Sequence, residues 1–186
     1  MVDLVALQSL SYMAGAIGVC IAAIYYILNL REVKLNRRIT FTSGLLQSIE
    51  SPEGAKNWIK LMNLKWKDLN DFKARYDSAV NEEIYVARAT YFGVCEIIGF
   101  QFRRGLIDLE TVYETAGEPI IDIFLKYKPI FDEYKRIGEY GKDVFTNFEY
   151  LAYKMAEMKS KRDPSYKGAY QYFGGPEAWN KTFSKK

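Results

Sequence analysis

Four close carboxylate pairs are the residues best suited to chemistry: Asp68 with Asp71, Glu82 with Glu83, Glu114 with Glu118, and Asp132 with Glu133. Such pairs can hold two metal ions or act as the acid and base of a glycosidase. None has an imidazole beside it, because the chain contains no histidine. That absence excludes Ser-His-Asp and Cys-His nucleophiles, histidine proton transfer, His-containing zinc sites and histidine-ligated haem. Neither a Gly-x-Gly-x-x-Gly or Gly-Lys-Ser/Thr phosphate loop nor a Cys-x-x-Cys pair occurs. Each carboxylate pair also fits a solvated helix face or an acid-rich first turn. The sequence therefore reads as a binding or scaffolding protein rather than an enzyme, with no catalytic residue, metal ligand or cofactor assigned. The competing reading is a membrane-tethered hydrolase using Glu96 or one of these pairs.

The elements that would position these residues follow from the charge distribution. The 186 residues are 49% hydrophobic, with a net charge of +3. Asp3 is followed by an uncharged run from Leu4 to Leu30. At about 1.5 Å per residue this run would form a helix of roughly 40 Å, more than the roughly 30 Å of a bilayer's hydrocarbon core. Residues 4–30 are accordingly read as a transmembrane anchor. A signal peptide would want a basic start and a shorter apolar segment. A buried soluble helix of this length would want a larger remaining core. Arg31, Lys34, Arg37 and Arg38 come at once after it, so the positive-inside rule predicts a single-pass protein of the cell membrane, N-terminus outside and C-terminal domain cytoplasmic. Cys20 and Cys95 read as small apolar residues, not a disulfide.

Residues 31–50 contain no proline and continue the helix as a juxtamembrane segment. Leu35, Ile39, Thr42, Leu46 and Ile49 recur at spacings of four and three, as in a coiled-coil seam. Ala14, Gly18 and Ala22 form a small-residue face within the anchor. A parallel homodimer would use both; the competing reading packs Leu35 to Ile49 on the chain's own domain.

Residues 51–161 read as an all-α multi-helix domain without strand alternation. Ser51-Pro52-Glu53 starts a helix running to about Asn63, and Leu69, Phe72 and Tyr76 mark a short second one. Asn81 caps a core helix ended near Gly105. Asp108 opens a helix over Leu109 to Ala116, stopped at Gly117, and Pro119 opens Ile120 to Arg136, with a kink expected at Pro129. Lys142 to Lys161 forms the last helix. Residues 162–186 form a basic aromatic tail, largely irregular, in which Tyr166, Tyr170, Tyr172, Phe173, Trp179 and Phe183 alternate with Lys167, Lys181, Lys185 and Lys186. Arg31, Lys34, Arg37, Arg38, Trp179, Lys181, Lys185 and Lys186 are the membrane-surface candidates. The competing reading packs the tail aromatics on the domain. The domain body, residues 39–153, sums to −4, which argues against a nucleic-acid groove.

Glu96 stands alone among apolar residues of the core helix. Burying it unpaired would be costly, so it should meet Arg88, Arg103 or Arg104, or reach a backbone donor, and Glu149 could share that arginine. The segments Glu96-Ile97-Ile98-Gly99, Arg103-Arg104-Gly105-Leu106-Ile107-Asp108, Tyr127-Lys128-Pro129-Ile130 and Asn147-Phe148-Glu149-Tyr150-Leu151 carry a resemblance over Tyr91 to Tyr153. In order and spacing this stretch resembles an uncharacterised family of small prokaryotic proteins. There, one N-terminal membrane helix precedes an all-helical domain of unknown function. The resemblance implies a membrane-anchored helical domain; the partners expected from the sequence as a whole are the lipid bilayer and an unknown protein. It carries no catalytic residues, and the tail is not part of the pattern.

Overall fold

A computed structural model describes residues 4–166. It is all-helical, with α1 over Leu4–Glu50, α2 over Pro52–Asn63, α3 over Leu69–Tyr76, α4 over Glu82–Arg103, α5 over Leu109–Ile137 and α6 over Thr146–Arg162. An apolar N-terminal helix thus precedes a multi-helix bundle, as expected. The chain divides into two compact units, Met1–Phe41 and Thr42–Lys186. The tail from residue 167 onward, with Trp179, Lys181, Lys185 and Lys186, lies outside the described residues, as does the side chain of Arg38.

The first unit is one helix, and by length and composition it can cross a membrane. None of its most apolar 18-residue window is buried. Polar groups near its start are satisfied within the helix: Ser9 and Ser11 donate to the Val5 and Leu7 carbonyls, and Gln8 donates to the Tyr12 hydroxyl. Such internal bonding is what a helix in hydrocarbon requires. Ala14, Gly18 and Ala22 are exposed, as are Arg31, Lys34 and Arg37.

The seam of residues 35 to 49 divides between the units. Leu35 and Ile39 are exposed, whereas Thr42, Leu46 and Ile49 are buried, the last two within the core of the second unit. The lower half of the seam is therefore occupied by the chain's own domain and forms no continuous coiled-coil surface with the upper half. Gly54 is required at the turn into α2. A Cβ there would collide with the carbonyl oxygens of Ser48 and Ile49.

The bundle's helix starts arise from local capping. Ser51, Asp68, Asn81 and Asp108 each accept from backbone N–H groups of the first turn they precede. Gly105 ends α4 with φ of 65°, while Leu106 N–H donates to the Gln101 carbonyl. Asp108 accepts from Glu110 N–H at 3.0 Å and from Thr111 N–H at 2.9 Å. The Thr111 hydroxyl and N–H hold its pKa below 3.8. A lowered folded value means that the cap's contribution is complete above the unfolded pKa and is lost as pH falls through the folded one. Asp108→Ala should therefore cost about 1 kcal/mol at neutral pH. The gap from wild type should narrow as the pH falls through the lowered folded pKa of Asp108, a difference readable by thermal unfolding at neutral and at acid pH.

The two helices expected on either side of Gly117 meet at a kink within α5: Ala116 leaves helical geometry, at φ −138° and ψ 19°, just before Gly117 and Pro119. Helical geometry continues through Pro129, because Tyr127, Ile130 and Phe131 beside it are all anchored in the core. The last helix begins at Thr146, four residues later than expected, since residues 142–145 form a turn. Phe92 of α4 sits among the rings of Tyr127 and Phe131 from α5 and Phe148 from α6, with centroids 4.9, 5.1 and 6.0 Å away. This aromatic cluster ties the three longest bundle helices together.

Candidate functional site

The carboxylate pairs occupy structural positions. Asp68 caps α3 and Asp71 pairs with Arg75; Glu83 pairs with Lys60. Glu114 pairs with Arg162 and Glu118 with Lys159, joining α5 to the end of α6. Asp132 and Glu133 pair with Lys128 and Arg136 on their own helix. Among the described residues no group of three or more Cys, Asp or Glu side chains could hold a metal ion.

Glu96 takes the backbone donors, not an arginine. One carboxylate oxygen accepts from Asn147 N–H at 3.2 Å and from the Asn147 side-chain amide at 2.7 Å; the other accepts from Phe148 N–H at 2.7 Å. The physical reason lies at the start of α6. Its N-cap position is Phe145, in the left-handed region, with no side chain able to cap. Thr146 N–H is satisfied by the Asp143 carbonyl, which leaves the next two donors for Glu96. A carboxylate at this end also meets the positive pole of the helix dipole.

The expected arginine partners lie elsewhere. Arg103 donates to the Asn147 side-chain oxygen at 2.9 Å and stacks on Tyr150, so it meets Glu96's partner rather than Glu96. Arg104 lies over Phe100. Glu149 pairs with Lys135 at 2.5 Å. Arg88, two turns before Glu96 and about 12 Å away along the axis, faces a different part of the bundle. Glu96, Gly99 and Arg103 thus form one stripe of α4 that grips Asn147. Gly99 belongs to it because a Cβ there would collide with the Asn147 carbonyl.

The opposite pole is handled the same way at α2. Tyr127 donates to the Leu61 carbonyl at 2.9 Å, and the Lys126 ammonium donates to the carbonyls of Met62 and Leu64. Burial holds the Lys126 pKa below its ordinary value, as expected for a cation drawn against the Trp66 ring. Cys95 is buried and free, its thiol pushed up by burial; Cys20 is free and exposed on α1.

A second arrangement is not visible in the sequence. Between α4, α5 and the turn before α6 lies a cavity of about 130 Å³, walled by Arg88, Tyr85, Phe92, Tyr134, Tyr140 and Phe145, among others. Arg88 is only 7% exposed. Its guanidinium lies over the rings of Phe72 and Tyr85, and its nearest carboxylate, Asp77, is 3.9 Å away. One terminal nitrogen of Arg88 and the Tyr134 hydroxyl are buried without a hydrogen-bond partner. Burial pushes the Tyr134 pKa up to about 12, leaving a neutral phenol. Tyr140 and Phe145 have φ of 62° and 55°. Bulky side chains in this region cost roughly 1–2 kcal/mol each. Ring contacts offset that cost: Phe145 lies 4.5 Å from Phe131 and Tyr140 lies 5.1 Å from Tyr134.

An all-helical bundle behind one apolar N-terminal helix, with α4 clasping the start of α6, defines the class of this protein. The sequence profile of the domain of unknown function DUF4760 matches residues 13–155, and the chain belongs to that family. The match takes in most of α1 as well as the bundle, well beyond the motif-rich stretch from residue 91. No curated protein and no solved structure matches the chain.

Proposed function

We propose that this protein is a single-pass membrane protein whose cytoplasmic helical domain serves as a binding or scaffolding module rather than an enzyme. The observation that carries the reading is the apolar window of α1, none of which is buried. An exposed surface of that extent is stable where lipid covers it. Arg31, Lys34 and Arg37, exposed directly after the uncharged run, favour a cytoplasmic domain with the N-terminus outside. The binding role is supported by the paired carboxylates, which, Glu82 apart, are spent on a helix cap or on ion pairs within and between helices. Leu35 and Ile39 remain exposed further along the helix that carries the small-residue face of Ala14, Gly18 and Ala22, two surfaces that a second copy of the chain or a partner helix would suit.

Alkaline carbonate extraction of membranes should leave the protein in the pellet, and release into the supernatant would remove the anchor. With cysteine introduced at Asp3 or Lys186, an impermeant maleimide applied to intact cells should label the first variant only. Labelling at residue 186 would reverse the orientation.

A further inference from the structure

We propose that the outer face of α4 is a self-association surface, on which a second copy of this chain packs its own α4 antiparallel about Gly93. The face lies wholly within the unit of residues 42–186. The inference goes beyond the binding role proposed above and rests on neither the anchor nor its small-residue face.

A surface helix ordinarily turns its charged residues to solvent and its apolar ones to the core. Between Glu83 and Arg103, α4 does the reverse. Its charges there are Arg88 and Glu96, and both are turned to other elements: Arg88 lies over the Phe72 ring and Glu96 holds the start of α6. Val86, Ala89, Thr90, Ile97 and Phe100 are exposed instead, with Gly93 half-buried among them.

Counted outward from Gly93, this face reads alike in both directions. Ala89 and Ile97 lie four residues away, Val86 and Phe100 seven, and Glu82 and Arg104 eleven. Residues at such spacings share one helix face. A two-fold axis at Gly93 therefore sets each member of a pair against its counterpart on the other copy, which is the self-complementarity that a symmetric interface needs. Gly93 suits the pivot. Glycine weakens a helix interior relative to alanine, and here, unlike at Gly99, the fold does not call for it, since nothing lies within 4 Å of an added Cβ. Where two helices cross, it leaves room that a large residue would fill.

The charges decide the occupant and its direction. Glu82 and Arg104 are both exposed, about 33 Å apart at opposite ends of the uncharged face. Neither has an ion-pair partner among the described residues; Arg104 lies over the Phe100 ring. Antiparallel pairing brings each glutamate to the other copy's arginine and opposes the two helix dipoles. Parallel pairing would set Glu82 against Glu82. A segment of one charge sign, such as the lysine-bearing residues 167–186, would meet a like charge at Arg104. A surface with both signs at this separation satisfies both ends, and a second α4 is such a surface.

The test uses the full chain in detergent, carrying Cys20→Ala so that the buried Cys95 is the remaining native thiol. Gly93→Cys places a thiol at the pivot without touching the rest of its own chain, and mild oxidation should join two copies through it. Lys142→Cys, exposed on the turn before α6, reports chance collisions and should cross-link at least about tenfold more slowly. Added to Gly93→Cys, either Glu82→Arg or Arg104→Glu should slow cross-linking about fivefold, because each sets like charges together at both ends. The two reversals combined should restore the rate, with helicity by circular dichroism unchanged throughout. If Glu82→Arg loosens the start of α4, Arg104→Glu decides alone. Cross-linking at residue 93 no faster than at residue 142 would leave the face to lipid or to the chain's own residues 167–186, and would overturn the proposal. A rate indifferent to Arg104→Glu, or not regained in a helical double variant, would overturn it equally. Association through α1 alone would raise both cysteine rates alike, so failure here is distinct from failure of carbonate extraction or labelling.

Discussion

Gly99→Ala should destabilise the helical domain by at least about 3 kcal/mol, at the upper end of what overpacking costs. The added methyl would meet the carbonyl oxygen and carbon of Asn147, both backbone atoms, and no rotamer change can relieve that contact. α4 and α6 would have to separate, opening the ring contacts of Phe92 with Phe148 and weakening all three bonds that Glu96 makes to Asn147 and Phe148. For a domain of this size the melting temperature should drop by roughly 10 °C. Trp58 and Trp66 pack against the bundle core and give a fluorescence signal that the anchor does not contribute to. Gly93→Ala on the same helix is the control, since nothing lies within 4 Å of its added methyl. Gaining helix propensity without a clash, it should be neutral or slightly stabilising. Equal melting temperatures for the two variants would refute the close approach.

Features that depend on neighbours in sequence are legible without a structure. Ser51, Asn81 and Asp108 announce helix starts because each caps donors two or three residues away, and Gly105 announces an end for the same local reason. The charge-free run from Leu4 to Leu30 needs no tertiary knowledge at all. Local reading fails where distant residues override local preference. Pro129 would break an isolated helix, but Tyr127, Ile130 and Phe131 are held in the core around it. Lys142 to Phe145 look as helical as the residues after them, yet Phe145 takes left-handed geometry to pack on Phe131, and α6 starts only at Thr146. Glu96 is recognisable as a buried charge in need of a partner. Which partner it takes is hidden, because backbone N–H groups leave no mark on composition. The one available hint is an α6 start with no Ser, Thr, Asp or Asn at its true N-cap. The Arg88 cavity is illegible, since its wall gathers residues from 85 to 145 and depends on two conformations unusual for aromatic residues.

Both poles addressed by tertiary side chains coincide with segments that carry the family resemblance. Glu96 and Gly99 meet Asn147 and Phe148 at the start of α6, and Tyr127 meets the end of α2. Those segments therefore describe how helices are docked by their ends, which the fold itself requires.

Removing the Glu96 carboxylate should be the second most damaging change, and the series of variants separates docking from catalysis. Glu96→Ala leaves Asn147 N–H, Phe148 N–H and one donor of the Asn147 amide unsatisfied. Each lost partner at a partly buried site costs about 1–3 kcal/mol, reduced where water enters, so a total near 3 kcal/mol is expected. Glu96→Gln keeps one acceptor but sets its own amide against a donor and removes the charge from the helix dipole. Its cost should be about half as large. Asn147→Ala removes the side chain that both Glu96 and Arg103 hold while leaving the backbone donors in place. Because Glu96 and Asn147 share a bond, the double variant Glu96→Ala, Asn147→Ala should be more stable than the sum of the single losses predicts, by about 1 kcal/mol. Additive losses would place the Asn147 side chain outside the clasp. A catalytic Glu96 would behave otherwise: Glu96→Gln would then fold with wild-type stability and lose turnover alone, an outcome incompatible with a carboxylate that caps α6.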